Sequence, residues 1–294
     1  MLSIKSSNET PLHGVAITCQ GGRTENQDDV GFYETPLGLL FIVCDGMGGG
    51  PGGKTASYMA KNEISQTLIN CNPKMSPAKA VKAAIGIAQE AIAAKSEEVS
   101  SVSGMGTTTV VLLINKYSAI IAHAGDSRCY QLRGKRLAFR TQDHSLVEEL
   151  VQRKVFTEEE ARTSPQSNII KRGLGCLSNN VPDVVEVPYK KGDRFVLCTD
   201  GVWGIMPHQE LIKRFTSKEE IKTVLSNLAI EIDELGVRSG GHHDNHTAAM
   251  IEMESDSLLK EEKFIKKKSF IAVAIAVVIM MSISIWLIIH YFIN

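Results

Sequence analysis

The sequence lacks several features that would direct it to other classes of protein. Its 32 basic and 33 acidic residues nearly cancel, so no excess of positive charge indicates a nucleic-acid partner. None of the six cysteines lies in the C-x-x-C spacing of zinc sites and redox motifs. Cys44 and Cys198 stand inside apolar runs, which favours buried free thiols in a reducing compartment. The first residues, "MLSIKSSNETPLHG", contain no continuous apolar stretch, so we expect no signal peptide.

One long apolar run is present near the other end of the sequence. Residues 270–289 read "FIAVAIAVVIMMSISIWLII", and about twenty apolar residues at helical rise match the hydrocarbon core of a bilayer. A buried hydrophobic helix is the alternative. The lysines of "KFIKKK" precede the run, which predicts that the large N-terminal part faces the cytoplasm. We therefore predict a folded domain at 1–254, a basic juxtamembrane linker at 255–268, a single-pass transmembrane helix at 269–290 and a short tail at 291–294. Whether the anchor enters the cell's own membrane or a host membrane stays open.

Strand and helix signals are mixed irregularly before the linker. Apolar or β-branched runs predict strands at Val15–Cys19, Leu39–Cys44, Thr107–Ile114, Ala119–Ala124, Arg128–Leu132, Arg194–Cys198 and Thr247–Glu252. Helical spacing predicts two long helices at about 54–68 and 77–99, and capping-box patterns at Thr157 and Ser217 predict two later helix starts. Because most strands follow one another without an intervening helix, the pattern favours an antiparallel α+β fold over a parallel sheet.

Aspartates recur at the ends of the predicted strands. Asp45, Asp126 and Asp200 each end an apolar strand beside glycine, in "LLFIVCDGMGGG", "AIIAHAGDSR" and "RFVLCTDGVWG". Asp244 precedes the last strand, and Asp28 lies in "GGRTENQDD". One such aspartate is typical of an ordinary turn. Several carboxylates gathered at one edge of a fold repel one another unless a cation neutralises them, and an oxygen-only set suits Mg²⁺ or Mn²⁺.

Two other phosphate chemistries fit the sequence poorly. The cysteine motif of tyrosine phosphatases, "HCxxxxxR", is absent, and alternation along the strand points Cys44 away from Asp45. The stretch "DGMGGGPGGKT" imitates the tail of a nucleotide-binding P-loop. Its spacing does not match the G-x-x-x-x-G-K-[ST] pattern.

Eight blocks of sequence occur in the order found in metal-dependent protein phosphatases, the PPM or type-2C family. They read "GGRTENQDD", "VCDGMGGGPGGKTAS", "GMGTTTVVLL", "AHAGDSRCYQLR", "QDHSLVEELV", "NIIKRGLG", "LCTDGVWGIM" and "HHDNHTAAMIE". The resemblance extends from about Val15 to Glu252, and the chain looks most like the compact bacterial members of the family.

This resemblance implies a fold and a set of site residues. The implied fold is an α-β-β-α sandwich, in which two antiparallel sheets lie between helical layers. Asp45 would bridge two Mn²⁺ or Mg²⁺ ions, Asp200 and Asp244 would ligate one of them, and the Gly46 carbonyl would help to hold the other. Two further aspartates have lesser implied roles, Asp28 mainly through water and Asp126 at a third, weaker metal of bacterial members. Arg23 matches the arginine that binds substrate phosphate, where a bidentate pair would stabilise charge.

The implied mechanism also requires a group that donates a proton to the leaving oxygen. Many eukaryotic members have histidine where this chain has Met47, and methionine cannot donate a proton. A metal-bound water is the expected substitute. His144 is expected to be structural, whereas the triplet His242, His243 and His246 around Asp244 leaves both a solvated and a tuning role open.

The resulting hypothesis is a metal-dependent phosphatase that removes phosphate from serine and threonine in cytosolic proteins and opposes a serine/threonine kinase. Two cations would orient the phosphoryl group and lower the pKa of a bound water, which would supply hydroxide near neutral pH. The alternative is a catalytically silent, membrane-bound phosphoprotein adaptor of the same fold. A third possibility keeps the enzyme but restricts it to one phosphoprotein of a stress or secretion pathway.

Overall fold

The strand that contains Asp45 is buried on both of its faces. In the computed structural model, which describes residues 1–6, 10–48, 51–175 and 181–259, it spans Gly38–Met47. Leu40, Ile42 and Cys44 pack on one side of it, and Phe41 and Val43 pack on the other. Because successive side chains of a strand point to opposite faces, such a continuous apolar run requires a layer on each side.

The described residues form thirteen strands and seven α-helices. The strands are β1 (Leu2–Ser6), β2 (Leu12–Cys19), β3 (Asp28–Thr35), β4 (Gly38–Met47), β5 (Gly106–Thr107), β6 (Thr109–Ile114), β7 (Ala119–Ala124), β8 (Arg128–Arg133), β9 (Arg136–Arg140), β10 (Leu174–Gly175), β11 (Asp183–Val187), β12 (Asp193–Cys198) and β13 (His246–Met253). The helices are α1 (Pro51–Ile69), α2 (Pro77–Glu98), α3 (Leu146–Gln152), α4 (Glu158–Thr163), α5 (Asp200–Trp203), α6 (His208–Phe215) and α7 (Ile221–Arg238), and a short 3₁₀ turn spans Ser100–Val102.

These strands form two sheets. One sheet has six strands in the order β1-β2-β13-β12-β8-β9. The other has the order β10-β5-β4-β6-β7-β11, with β3 paired to β4. Every pairing between these strands is antiparallel, as the absence of helical crossovers between most strands predicts.

Three apolar cores separate four layers. The core between the sheets includes Phe41 and Phe195. A second core packs α1 and α2 against the outer face of the β4 sheet, with Ile64 and Ile85 in contact with it. The third packs α5, α6 and α7 against the other sheet through residues such as Leu228. The predicted α+β class, with two antiparallel sheets flanked by helices, is confirmed.

The sequence patterns located the central strands and both long helices but missed peripheral ones. Strands β1, β3, β9, β10 and β11 were not predicted, and all are either short or partly exposed. The predicted strand at Thr107–Ile114 is divided at Thr108, where β5 ends before β6 begins. The capping box at Thr157 is confirmed at the start of α4. The one at Ser217 is wrong, because α7 begins at Ile221 after Glu220, and the Ser217 hydroxyl accepts from the Glu219 amide.

The predicted transmembrane helix at 269–290 and most of the linker lie outside the described residues. Across the parts of the chain that the structure describes, no helix has the length and apolarity needed to cross a bilayer. Residues just beyond β13 still contact the folded unit, since the Ser257 amide donates to the Tyr189 carbonyl at 2.9 Å. All five described cysteines are free thiols, as predicted; Cys176 is outside the described residues.

Candidate metal and phosphate site

Asp28 and Asp45 face each other across two paired strands. Asp28 begins β3 and Asp45 lies near the end of β4, and the two are direct partners in the antiparallel register. Partners in such a pair have side chains on the same face of the sheet. The structure therefore brings together two predicted carboxylates that the sequence separates by a turn.

Two consecutive threonines, one at the end of β5 and one directly after it, fix the backbone of Asp45. The Thr107 hydroxyl and the Thr108 amide both donate to the Asp45 carbonyl at 2.8 Å. The Asp45 amide donates to the Thr108 hydroxyl at 3.1 Å. With its backbone groups satisfied, Asp45 presents only its carboxylate to the site. These threonines belong to the "GMGTTTVVLL" block, whose role the sequence alone did not indicate.

Gly46 occupies a position where only glycine fits. A Cβ atom at Gly46 would lie 2.1 Å from the Gly53 carbonyl oxygen, which no side chain tolerates. The backbone of β4 therefore passes directly against the start of α1. This close approach explains the glycine whatever ligand its carbonyl holds.

Asp200 and Asp126 lie on segments that follow strands β12 and β7. Asp200 is the first residue of α5, after β12. Its carboxyl is near enough to that of Asp45 for each to affect the pKa of the other. Asp126 follows β7 in a turn at Gly125, whose φ of 114° favours glycine. Asp126 is almost fully buried, and its Oδ1 atom has no hydrogen-bond partner among the described residues.

Arg23 and Asp244 form an ion pair. The Arg23 Nη2 atom lies 2.7 Å from Asp244 Oδ2, and both side chains are partly exposed. Two glycines permit the approach of their loops: Gly22 donates its amide to the His243 carbonyl at 3.0 Å. A Cβ atom at Gly21, whose φ is 60°, would lie 2.2 Å from the Asp244 carbonyl oxygen.

Asn245 joins the loop of Arg23 to the loop of Asp244. Its Oδ1 atom accepts from the Gln27 amide at 2.9 Å, and its Nδ2 atom donates to the carbonyls of Gln20 and Glu25 at 2.7 and 2.9 Å. Every polar atom of this buried side chain is thus used. Sequence reasoning missed Asn245, although its place directly after Asp244 was a signal.

The carboxyl groups raise one another's pKa values. Burial is the largest cause for each: it raises the pKa of Asp28 to about 7 and that of Asp200 to about 6. The pKa values of Asp45 and Asp126 are raised well above the usual range by burial and by the neighbouring aspartates. Hydroxyl donors partly oppose this at Asp28, which accepts from Thr199 at 2.9 Å. Repulsion of this kind is relieved when a cation binds between the carboxylates.

The residues fit divalent cations of the Mg²⁺ and Mn²⁺ type. Their donors are oxygen atoms, and the buried Oδ1 of Asp126 has no other partner among the described residues. The five aspartates do not supply three oxygens within 4.8 Å of one another in the described parts of the chain, where the sets that do so contain histidine.

The histidines singled out from the sequence have different environments. His144 is buried, stacks on His123 with ring centroids 4.5 Å apart, and accepts from the Gly125 amide. Burial, followed by the charge of His123, lowers the pKa of His144 to about 4, so this ring is neutral at physiological pH. Its predicted structural role agrees with these contacts. His242 is exposed, whereas His243 and His246 turn inward toward Asp233.

A cavity of about 500 Å³ is connected to the Asp126 turn through Trp203, which lines the cavity and donates from its indole nitrogen to the Asp126 carbonyl at 3.0 Å. It lies between α3 and α4 on one wall and the start of α6 on the other, and it is lined by Arg128, Arg140, Trp203 and His208 among others. Arg128 is held there by Asp143 at 2.6 Å and stacks 3.5 Å from the centre of the Trp203 ring. The segment that contains α3 and α4 thus forms one wall of a charged, aromatic cavity.

Comparison with known proteins agrees with this fold and site. The family model for protein phosphatase 2C matches residues 19–236. Serine/threonine phosphatase stp of Listeria monocytogenes is 31% identical over 236 residues, which are 79% of this chain and 92% of that protein. The chain therefore belongs to the protein phosphatase 2C family of protein serine/threonine phosphatases, and the resemblance read from the sequence blocks is confirmed.

Solved structures agree with this assignment. The crystal structure of serine/threonine phosphatase Stp1 from Staphylococcus aureus has a TM-score of 0.74 and 26% identity, and the match covers 87% of this chain and 98% of that one. The catalytic domain of the serine threonine protein phosphatase PstP, crystallised with two manganese ions, has a TM-score of 0.68 and 29% identity, with 82% of this chain and 97% of that chain covered. Metal dependence is thus a property of the family to which the chain belongs.

Proposed function

We propose that this chain hydrolyses phosphoserine and phosphothreonine in proteins, using two Mn²⁺ or Mg²⁺ ions held by its clustered aspartates. The observation that carries the proposal is the convergence of Asp45, Asp200 and Asp28 beside the Arg23–Asp244 pair. Carboxylates that raise one another's pKa values supply a cation site, and the neighbouring guanidinium supplies a phosphate site.

Each residue has a distinct part in this proposal. Asp45, Asp200 and Asp244, with the Gly46 carbonyl, would hold the two cations, and Asp28 and Asp126 would act at their edge, Asp126 at a third and weaker ion. When bound, such cations lower the pKa of water and neutralise charge on a phosphoryl group. Arg23 would bind two phosphate oxygens through its planar guanidinium. Thr107 and Thr108 hydrogen-bond to the backbone of Asp45 and would help to keep its carboxylate in position.

The Met47 side chain cannot protonate the leaving serine or threonine oxygen, because methionine has no acidic proton. His144 is neutral and bonded to the Gly125 amide and to Asp183, which removes it as a general acid. Solvent water is therefore the proposed source of this proton.

The direct test is hydrolysis of a phosphothreonine peptide by the full-length chain with Mn²⁺. We expect turnover by the wild-type chain, with a loss of about a thousandfold in Asp200→Asn, because a lost metal ligand removes several kcal/mol of charge stabilisation. An inactive wild-type chain that still binds the phosphopeptide would instead support the adaptor alternative.

We also propose, from the sequence, that residues 269–290 anchor the enzyme in a membrane with its catalytic domain in the cytoplasm, where a serine/threonine kinase supplies its substrates. The apolar run at 270–289 and the preceding lysines support this proposal. Alkaline extraction of membrane fractions should leave the wild-type chain in the membrane. Replacing Val277 and Val278 by arginine should release it, because each charge costs about 2.5–3.5 kcal/mol at the centre of a bilayer. A wild-type chain found wholly in the soluble fraction would exclude the anchor.

A further inference from the structure

Behind the loop that carries Asp244, three side chains converge on one point. Asp233 lies on α7, His243 lies in the loop that follows, and His246 is the first residue of β13. One donor atom from each lies within 4.8 Å of the other two. We propose that Asp233, His243 and His246 form a second cation site, which takes a divalent transition metal of the zinc type and is separate from the aspartate cluster.

His246 has a buried nitrogen that requires a partner. The residue is completely buried, and its Nε2 atom has no hydrogen-bond partner among the described residues. That nitrogen faces Asp233 Oδ1 at 3.7 Å, which is too long for a hydrogen bond. The other ring nitrogen, Nδ1, contacts the Asp244 carbonyl at 3.5 Å. A cation bound between His246 Nε2 and the Asp233 carboxylate would give the buried nitrogen the partner that it lacks.

The spacing of the donor atoms suits a tetrahedral metal. Metal–ligand bonds of about 2.0–2.1 Å at tetrahedral angles separate neighbouring ligand atoms by about 3.3 Å. Asp233 Oδ1 is hydrogen-bonded to His243 Nε2 at 2.9 Å, a contact in which the metal would replace the proton, and it lies 3.7 Å from His246 Nε2. The two distances lie on either side of the required value, so a shift of a few tenths of an ångström in Asp233 would equalise them.

The three residues lie on closely packed backbone segments, and one of them is accessible to solvent. The His243 ring packs against Gly236 so closely that a Cβ atom there would lie 2.1 Å from the ring. Helix α7 and the loop are thus fitted to each other at the position of this ring. The histidine side chains are 8% and 0% exposed, but Asp233 is 50% exposed. A cation from solvent would therefore meet the carboxylate first and then the two imidazoles.

The donor set separates this site from the phosphatase centre. Two imidazole nitrogens and one carboxylate oxygen favour Zn²⁺ and related transition metals, whereas oxygen-only donors favour Mg²⁺ and Mn²⁺. A second His–His–Asp set, at His123, His144 and Asp183, is a poorer candidate. The Nε2 atom of His123 is already bonded to the Gln142 carbonyl, whereas the buried Nε2 atom of His246 has no partner among the described residues. The Arg172 guanidinium also lies 3.2 Å from Asp183, where a cation would have to bind.

Occupancy of the site would restrain the loop that carries Asp244. The Asp244 carbonyl contacts His246 Nδ1, and the His243 carbonyl accepts from the Gly22 amide next to Arg23. A metal bound by the histidines on both sides of Asp244 therefore fixes the backbone from which that aspartate and its arginine partner are presented. The site is a positioning device, and its existence does not depend on the proposed catalytic activity.

Cobalt absorption tests the proposal on the full-length chain. The protein is stripped with a chelator, returned to buffer with saturating Mg²⁺ to fill the oxygen-donor sites, and titrated with Co²⁺. We expect one Co²⁺ per chain with the intense visible bands of four-coordinate, nitrogen-ligated cobalt. Asp233→Asn and His243→Gln should each weaken Co²⁺ binding by more than about tenfold. Even mutations of residues that only hydrogen-bond to a metal ligand lower metal affinity by about that factor.

His242→Gln is the matched control, because His242 is exposed in the same loop and lies outside the cluster. It should titrate like the wild-type chain. Asp233 is half exposed on a helix, so its isosteric replacement should not impair folding. The proposal is overturned if wild-type protein gives only the weak spectrum of six-coordinate cobalt, or if Asp233→Asn titrates unchanged. Neither readout uses phosphatase turnover, so a failure here is distinct from a failure of the proposed function.

Discussion

Arg23 and Asp244, which are 221 positions apart in the sequence, form a partly exposed ion pair of 2.7 Å. The arginine expected to bind phosphate thus rests against an aspartate expected to bind metal. The charge of Arg23 also lowers the pKa of Asp200, against the larger effects of burial and of Asp244. The guanidinium partly substitutes for a cation among these carboxylates, and a metal would release it toward a phosphate.

Replacing Arg23 by alanine should separate phosphate binding from metal binding. We expect KM for a phosphothreonine peptide to rise about tenfold, since a charge-assisted hydrogen bond contributes about 1.5–3 kcal/mol. The dissociation constant for Mn²⁺ should stay the same or fall, because a competing positive charge leaves Asp244. Steady-state kinetics and calorimetric titration measure the two effects. Arg238→Ala, which removes an exposed arginine of α7, serves as the control. Weaker Mn²⁺ binding in Arg23→Ala would contradict this account.

The two aspartates Asp126 and Asp200 should differ in their effect on metal affinity. Burial, Asp200 and Asp143 raise the pKa of Asp126 well above its usual range, and Arg128 opposes them only in part. The pKa of Asp200 is raised to about 6, so Asp126 holds its proton more tightly, and a carboxyl must lose its proton to bind a metal. Asp126→Ala should therefore raise the Mn²⁺ concentration needed for half-maximal turnover by less than Asp200→Ala does. Mn²⁺ titrations of both variants measure this order. The reverse order would remove Asp126 from the weaker site.

Removing divalent cations should make stability depend on pH through the aspartates. In the metal-free fold the pKa values of Asp28 and Asp200 are raised to about 7 and about 6, above an unfolded value of about 3.9. The folded state then binds more protons, so its stability is greatest at low pH in this range and is lost as pH rises through 6 to 7.

Asp28→Asn isolates this effect, because it removes the charge and keeps the shape. In chelator at pH 7.5 its melting temperature should exceed that of the wild-type chain by about 2–4 °C for each kcal/mol of relieved repulsion. The difference should shrink at pH 5, where Asp28 is protonated in the folded wild-type chain. Scanning fluorimetry across this pH range measures it. A variant less stable than wild type at pH 7.5 without metal would show that the carboxylates do not repel.

The buried pair Arg128–Asp143 should contribute strongly to folding. Asp143 accepts from Arg128 in a bidentate arrangement at 2.6–3.1 Å, and both residues are buried. Asp143→Ala leaves an uncompensated guanidinium in the cavity wall and should cost about 3–5 kcal/mol in urea unfolding. Glu210→Ala breaks exposed pairs on α6 and should cost no more than about 1 kcal/mol. Equal losses in the two variants would argue against a structural role for Arg128.

The sequence by itself determined the central strands and both long helices, and it singled out the aspartates for which we propose a metal site. Continuous apolar runs such as those of β4 and "TVVLLI" are properties of neighbouring residues, so pattern is sufficient to find them. Motif order identified the family, and the transmembrane helix at 269–290 remains a prediction that rests on sequence alone.

Only the tertiary structure decided which of these residues meet and what supports them. The edge strands β1, β9 and β11 owe their conformation to partners distant in sequence, so local propensity does not reveal them. The contact between Arg23 and Asp244, the threonines that hold Asp45 and the links made by Asn245 all join separate segments. The same reason hid the cluster of Asp233, His243 and His246: β-sheet register and the packing of α7 bring these side chains together, and no spacing in the sequence encodes that distance.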